Sequence, residues 1–425
     1  MIHLEYYTIS QVADILSVPK ETLRRWDRNG TLVPEHQDDK KRLYNKKQLK
    51  IFAEAQLLFN SNWQEESRIR PFRPFKLLEL FAGAGGLAIG MEMAGFKSVL
   101  LNEIDSAACQ TLRKNRPEWN VVEGDVAALD FKPYHGKIDI LSGGFPCQAF
   151  SYAGKKLGFE DTRGTLFFEF ARAVKETQPK VFVAENVRGL LAHENGRTLS
   201  TIANIISELG YFLVTPRVLK AMFYKVPQKR ERLFLIGIRK DLADKVQFQW
   251  PSPYHRILTV RDALKAGELY EKDVPVSDGQ KYPKRKAEIM AQVPAGGYWK
   301  DLPDNLQREY MQRSYFLGGG KTGMARRLAW DEPSLTLTCA PAQKQTERCH
   351  PEETRPLTVR EYARIQTFPD EWQFEGSQSA KYKQIGNAVP VNLAYSVGRS
   401  LIRLLNDMEI VINKGKKTSR KKSNG

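Results

Sequence analysis

Five short apolar runs in this 425-residue chain end in side chains able to do chemistry. Lys76-Leu77-Leu78-Glu79-Leu80-Phe81 runs into Ala82-Gly83-Ala84-Gly85-Gly86. Val99-Leu100-Leu101 leads to Glu103, and Val121-Val122 leads to Asp125. Ile138-Asp139-Ile140-Leu141 leads to Gly144-Phe145-Pro146-Cys147-Gln148, and Val181-Phe182-Val183-Ala184 to Glu185-Asn186-Val187. The glycines let a bound molecule approach the backbone, and a helix starting behind them offers unpaired N–H groups. Glu103, about 20 residues after the first glycine, is placed to accept hydrogen bonds from ribose hydroxyls. A glycine turn alone is a weak signal, and this one equally allows a dinucleotide. Its weight comes from the company it keeps: each run delivers polar residues at one end, where open parallel sheets hold ligands.

Such runs are short enough for buried strands. Alternating with helical segments such as Leu87 to Ala94, they predict an α/β fold. The composition agrees, since 41% hydrophobic and 27% charged residues exclude wholesale disorder and a fibrous class. No apolar run reaches the roughly 18–20 residues that span a bilayer. The start lacks the pattern of a signal peptide, and no membrane partner is expected; the cysteine usage makes a reducing cytoplasm the default, with nucleoid association if DNA is the partner. The four cysteines, Cys109, Cys147, Cys339 and Cys349, form no CxxC pair, so neither a disulfide scaffold nor a metal site is expected. Cys339 and Cys349-His350 are read as structural. A net charge of +17 points to a polyanionic partner, most often nucleic acid.

The first sixty residues differ in pattern. Thr8 and Gln11 have capping-box spacing, and Val12, Ile15 and Leu16 repeat at helical spacing. After Ser17-Val18-Pro19, a second helix over Lys20 to Asp27 stops at Asn29-Gly30. It carries Arg24, Arg25 and Arg28, as a helix-turn-helix would. Asp38 to Tyr44 suits a hairpin wing, and a further helix is expected from about Lys46 to Phe59. Tyr7-Thr8-Ile9, Thr22-Leu23-Arg24-Arg25-Trp26, Gly30-Thr31-Leu32-Val33-Pro34 and Arg42-Leu43-Tyr44 together resemble the winged helix-turn-helix domain of the MerR family. That resemblance implies DNA contacts from Arg24, Arg25 and Arg42. No long dimerising helix follows.

The larger part of the chain closely resembles the DNA (cytosine-5)-methyltransferases. Phe81-Ala82-Gly83-Ala84-Gly85-Gly86 matches their cofactor loop, Gly144-Phe145-Pro146-Cys147-Gln148 the nucleophile loop and Glu185-Asn186-Val187 the acid motif. Gln228-Lys229-Arg230-Glu231-Arg232 matches the QxRxR motif. Arg355 to Glu361 and Gly386-Asn387-Ala388-Val389-Pro390 match two later blocks, in the family's order. The resemblance runs from Phe75 to Arg403. It implies a Rossmann-like S-adenosylmethionine-dependent methyltransferase domain with an inserted smaller target-recognition domain.

It also implies roles. C5 of cytosine is a poor nucleophile until a thiolate adds at C6, and Cys147 would be that thiolate. Glu185 would present a protonated carboxyl to N3, which needs surroundings that favour the neutral acid. Arg232 would meet O2, with Arg230 close behind. For S-adenosylmethionine, Phe81 would pack on the adenine, Glu103 hold the ribose, Asp125 take the adenine amino group and Asn387 lie by the methionine end. Ile104 would cover the adenine, and Gly83, Gly85, Gly86, Pro146, Leu166 and Ala388 would complete the cofactor wall. Arg163 and Gln148 would contact DNA from the loop between Cys147 and Thr165. The target base would be rotated out of the duplex.

The expected division is a winged helix-turn-helix over 1–60 and a linker over 61–75. Catalytic domain over 76–240, target-recognition domain over 241–350, catalytic return over 351–410 and a disordered basic tail over 411–425 follow. Double-stranded DNA is the expected substrate of a monomer, in company with a cognate restriction endonuclease. A transfer-RNA methyltransferase of the same fold and a non-catalytic regulator are the alternatives. The long recognition segment and the N-terminal domain count against the first, and the intact Cys147, Glu185 and Arg232 against the second.

Overall fold

The computed structural model describes residues 6–37, 42–146 and 165–423, with side chains to 414. The chain forms two compact units, Met1–Arg68 with Ser252–Ile257, and Ile69–Pro251 with Leu258–Gly425.

In the first unit β1 (Tyr6–Thr8) leads into α1 (Ile9–Leu16) and α2 (Lys20–Arg28). Next come β2 (His36–Gln37), β3 (Arg42–Asn45), α3 (Lys46–Leu49), α4 (Ala53–Phe59) and α5 (Trp63–Glu66). The strands form one antiparallel sheet with β3 in the middle. The capping box at Thr8 forms: Gln11 N donates to Thr8 Oγ1, and Thr8 N donates to Gln11 Oε1 at 2.8 Å. The helix expected over 46–59 is instead two. Phe52 is extended between them, and its ring stacks on Trp26 at 5.6 Å and 8°. Burying that aromatic face outweighs one uninterrupted run of helix. Residues 61–75, read as a linker, include α5. Trp63 is buried edge-on against Tyr254 at 5.0 Å, and buried Glu66 accepts from Ser252 Oγ at 2.8 Å. No local pattern could show that pairing, because its partners lie 186 residues apart.

In the second unit the first half alternates strand and helix: β4 (Phe75–Leu80), α6 (Gly86–Ala94), β5 (Phe96–Glu103), α7 (Ser106–Asn115) and β6 (Val121–Glu123). Then come β7 (Ile140–Gly143), α8 (Leu166–Thr177), β8 (Val181–Val187), α9 (Arg197–Glu208), β9 (Tyr211–Leu213) and β10 (Arg217–Lys220). The chain continues through β11 (Gln228–Lys229), β12 (Glu231–Arg239), α10 (Lys240–Ala243), α11 (Val260–Leu264), α12 (Lys284–Ala291), α13 (Asp304–Met311) and β13 (Ser334–Leu335). It closes with α14 (Val359–Ile365), α15 (Gln378–Asn387) and α16 (Val391–Ser423). The backbone of α16 thus runs through the stretch expected to be disordered, since lysine and arginine propagate a helix that packing has already nucleated.

The main sheet has the order β10-β12-β8-β7-β4-β5-β6, with β9 on β12. The five strands from β8 to β6 are parallel, and β12 joins β8 antiparallel. After β6 the chain returns to the other side of β4, so the order reverses between β4 and β7. Open α/β sheets bind ligands at that reversal, beyond the carboxyl ends of the strands. Both faces are covered. Leu100 packs into one core cluster with Phe170, Phe182 and Ile205, while the next residue, Leu101, packs into another with Ile89, Tyr362 and Trp372. The segment between β12 and α14 has a small core of its own, around Met290, Trp299, Tyr310 and Met311.

Candidate active site

A cavity of 1030 Å³ opens at the carboxyl ends of β4, β5, β7 and β8. Phe81, Gly83, Gly86, Glu103, Ile104, Asp125, Pro146, Leu166, Asn387 and Ala388 line it, together with Glu185, Arg230 and Arg232. Segments spread over three hundred positions of sequence converge here because each follows a strand or a turn at the same edge of the sheet.

The glycine turn divides its labour. Gly83 has φ +55°, and a Cβ there would meet nothing within 4 Å. Gly85, with φ +87°, faces inward instead, where a Cβ would lie 2.8 Å from Leu112 and 3.2 Å from Trp372. Gly85 therefore serves packing and is absent from the cavity wall, which corrects its expected place beside a cofactor. Gly86 lines the cavity, but a Cβ there would lie 2.3 Å from the Val389 carbonyl oxygen. It lets α6 seat against the 388–390 turn. Phe81 has φ +57°, a conformation costing about 1–2 kcal/mol for a residue with a Cβ. The fold holds this strain where the ring meets the cavity.

Glu103 is held by the main chain. Its Oε2 accepts from Gly83 N at 2.7 Å, and its Oε1 accepts from Ile104 N and Asp105 N, both at 2.9 Å. A carboxylate has about four acceptor sites, so one remains, on Oε2, at the cavity. Ile104 is 69% exposed at this edge, an apolar side chain with little to cover it. Asp125 turns one oxygen to Ala127 N at 2.9 Å.

At the other end of the cavity, Glu185 on β8 pairs with Arg232 on β12. Phe234 lies opposite Glu185 in the ladder, and Arg232 is two residues on, so both side chains share one face. Arg232 Nε lies 2.6 Å from Glu185 Oε1, with both side chains nearly buried. Burial pushes the Glu185 carboxyl above the usual carboxylate range, although Arg232 and Arg230 pull the other way. Gly144 has no side chain because one would sit 2.9 Å from Glu185 Oε2. The neighbouring Asn186, also buried, donates from Nδ2 to the Phe145 carbonyl at 2.9 Å. The backbone at 144–146 is thereby pinned against the carboxyl. Cys147, Gln148 and Arg163 lie outside the described residues.

Arg230 differs from Arg232 in use. It is 1% exposed and donates to the carbonyls of Leu337 at 3.0 Å and Gly386 at 2.8 Å. Gln228 does the same work, accepting from Leu337 N at 3.0 Å and donating to Gln366 at 2.8 Å. Alternate residues of the QxRxR run thus hold the far wall of the cavity, and only the last reaches Glu185. Arg230 lies close behind Arg232 on the same cavity wall, where its bonds to two carbonyls give it an anchoring position.

Sequence reasoning missed several wall residues. Glu79 is fully buried on β4 at the cavity floor, accepts from Ser142 Oγ at 3.2 Å, and is pushed by burial to about 8. An acid inside an apolar strand was its available signal. Cys339, read as structural, is exposed on the wall with Sγ 3.2 Å from Asn387 Oδ1. Nothing in its local sequence announces that place. Cys349 is buried.

In the first unit, Arg24 pairs with Glu21 at 3.1 Å and Arg25 is exposed. Arg42 lies 3.3 Å from Asp27, tying the wing strand to α2. That bond occupies a side chain expected to face DNA.

A mostly parallel sheet with a glycine turn at its order reversal, and polar groups gathered along its carboxyl edge, is the layout of the Rossmann-like α/β enzymes. Residues 75–403 match the C-5 cytosine-specific DNA methylase family, and residues 7–63 the MerR HTH family of regulatory proteins. The chain belongs to the C-5 cytosine-specific DNA methylase family. It is 71% identical over 402 residues to the Type II methyltransferase M.Eco47II of Escherichia coli, covering 94% of this chain and 96% of that protein. It is 62% identical to the Type II methyltransferase M.PspPI of Psychrobacter sp. (strain TA137), covering 94% and 97%. A crystal structure described as a prophage-encoded DNA modification methyltransferase of E. coli matches with TM-score 0.61 and 27% identity. That match covers 78% of this chain and 99% of the other. Among the described residues no helix is long and apolar enough to cross a membrane.

Proposed function

We propose that this enzyme methylates C5 of one cytosine within a short DNA sequence, using S-adenosylmethionine and covalent addition of Cys147. The observation that carries the reading is the nearly buried Glu185–Arg232 pair, set against the turn that leads into Cys147. The cavity suits the cofactor: open space at Gly83, apolar surface from Phe81 and Ile104, and one remaining acceptor on Glu103. S-adenosylmethionine, when bound, supplies an electrophilic methyl group.

The chain's own residues account for the remaining chemistry. The target base leaves the stack, at a cost of a few kcal/mol, because neither face of C5 or C6 is open inside a duplex. The Cys147 thiolate adds to C6, a sulfur–carbon bond forms, and the electron pair of the C5–C6 double bond becomes available at C5. Charge that builds toward N3 and O2 is met by the Glu185 proton at N3 and by the Arg232 guanidinium at O2. Once C5 carries the methyl group, its proton leaves to solvent, the sulfur–carbon bond breaks, the double bond returns, N3 gives its proton back to Glu185 and the thiolate is released. Arg230 positions Arg232's wall and touches no reacting atom in this reading.

The Type II naming of the relatives supports a place beside a restriction endonuclease acting on the same site. The MerR match of residues 7–63 supports a regulatory DNA-binding role for the first unit, at a promoter in this reading. The decisive experiment is base-resolution mapping of 5-methylcytosine in DNA from a methylation-free host expressing the chain. Methylation at one short motif, absent with Cys147→Ser, is the expected result. Soluble, folded protein that leaves the DNA unmodified would sink the proposal. Arg24→Ala/Arg25→Ala should abolish promoter binding while methylation persists, and unchanged promoter binding would remove the regulatory role.

A further inference from the structure

α15 runs along the cavity with one face buried and another in water. On the buried face, Tyr382 Oη donates to the Leu357 carbonyl at 2.7 Å, and Gln384 Oε1 accepts from Thr111 Oγ1 at 2.7 Å. The buried Gly386 carbonyl accepts from Arg230 at 2.8 Å, and a Cβ on Gly386 would lie 2.3 Å from the Thr338 carbonyl oxygen. Breaking any of these bonds leaves a buried polar group unsatisfied, so the helix is held firmly in place.

Lys383 and Asn387 stand one turn apart on the other face, both exposed and both lining the cavity. Lys383 Nζ donates to Asp105 Oδ2 at 2.9 Å, across 278 positions of sequence. Asp105 lines the cavity too, from the turn between β5 and α7. Its other oxygen accepts from Ala108 N at 3.1 Å and caps α7, which fixes the direction of the carboxylate. The bond from Lys383 holds that carboxyl below its ordinary range. The pair thus joins two walls of the cavity, Glu103 to Asp105 on one side and α15 on the other, where the cavity meets solvent.

Its weakness decides what it can do. The Lys383 side chain is 59% exposed and that of Asp105 33%. An ion pair so wetted adds little to stability, and salt weakens it further. It can open and close while the buried bonds of α15 keep the wall standing. A contact of that strength does not hold a fold together, but across a cavity mouth it governs passage.

We propose that Lys383 and Asp105 form the closing contact of the cofactor cavity, opening to admit S-adenosylmethionine and to release the spent cofactor, and shutting to retain either. Both are positioning residues and touch no reacting atom. The inference rests on the use of S-adenosylmethionine proposed above.

The test measures association and dissociation rates of S-adenosylmethionine on the full-length enzyme by surface plasmon resonance. Wild type, Lys383→Met, Asp105→Asn and the double variant are compared. Methionine keeps an unbranched stem, and asparagine keeps the helix cap, so the fold is retained and an unchanged thermal midpoint checks it. Each single variant should speed association and dissociation alike, by about three- to fivefold, with Kd nearly unmoved. The double variant should match the singles, as two ends of one contact do. Dissociation from the wild type should quicken as salt rises from about 0.05 to about 0.5 M, while the variants stay flat. Wild-type rates in either single variant overturn the proposal. A Lys383→Met variant that only dissociates faster, with Asp105→Asn unchanged, overturns it too, because Lys383 then holds the cofactor directly. Wild-type enzyme that binds no S-adenosylmethionine overturns the cofactor reading, and this inference with it.

Discussion

Arg232 Nε and Glu185 Oε1 stand 2.6 Å apart on neighbouring antiparallel strands, each side chain with only about a tenth of its surface in water. Attraction across so short a gap favours a carboxylate, while loss of water favours the neutral acid. Burial wins for Glu185, whose carboxyl is held above its ordinary range.

Glu185→Gln keeps size and most hydrogen bonding but has no proton to give to N3. Single-turnover methyl transfer should fall on the order of 10²- to 10⁴-fold, the usual worth of a general acid. Cofactor affinity should hold. Glu185→Ala should also lower stability, by about 3 kcal/mol at most, because among the described residues it leaves the nearly buried Arg232 guanidinium with only the Glu231 carbonyl, at 2.8 Å, to accept from it. Chemical denaturation and cofactor titration of both variants separate the two effects.

The cavity-floor carboxyl gives a pH dependence of stability. Glu79 is pushed to about 8 in the folded protein, well above its unfolded value near 4.5. Between these limits the native state holds a proton that the unfolded state has lost, so this group lowers stability progressively as pH rises from about 4.5 to 8. Glu79→Gln should flatten that slope, so the variant gains on the wild type with rising pH. Thermal midpoints of cofactor-free protein from pH 5 to 9 check it, and parallel curves would refute the assignment.

The opposite sign applies at the amino end of the sheet. Asp139 accepts from Arg73 at 2.6 Å and lies 3.0 Å from Lys180, while Glu409 of α16 meets the same two cations at 2.8 Å each. Both carboxyls are held below their ordinary range, Asp139 by its hydrogen bonds to Arg73 and the Lys76 amide against the cost of burial, and Glu409 by Lys180 and Arg73 against the same cost. Their stabilisation is present above the unfolded carboxylate range and lost as pH falls through the lowered folded values. Asp139→Asn should cost about 3 kcal/mol at pH 7, since it leaves two cations sharing one carboxylate. Urea unfolding from pH 7 down to well below about 3.8 should show the gap narrowing only at the acid end of that range.

Two glycines of one turn should fail differently. Gly83→Ala meets no atom but places a Cβ at φ +55°, so folding loses about 1 kcal/mol while cofactor affinity drops more. Gly86→Ala drives a Cβ to 2.3 Å from the Val389 oxygen, so the larger loss should be in thermal stability. Calorimetric Kd values and thermal midpoints distinguish them.

The α/β class, the five strand ends and the cavity groups Phe81, Glu103, Asp125, Glu185 and Arg232 were legible in the sequence. Apolar runs bounded by glycine and polar residues encode strands and turns locally, and the motif spacings report the order in which those strands are used. Thr8 and Gln11 show the same legibility at a single helix end.

Other features were set by contacts between distant segments. Which glycine faces the cavity depends on where Leu112 and Trp372 arrive. The division of Arg230 from Arg232 depends on the Leu337 and Gly386 carbonyls, more than a hundred residues further along. The break before Phe52 depends on Trp26, and the ordered stretch around Trp63 on Tyr254. By itself the sequence determined the fold class, the order of the sheet-edge motifs and the kinds of chemistry at hand. Only the tertiary structure decided which buried group meets which, because desolvation and close packing act between side chains that a local pattern cannot bring together.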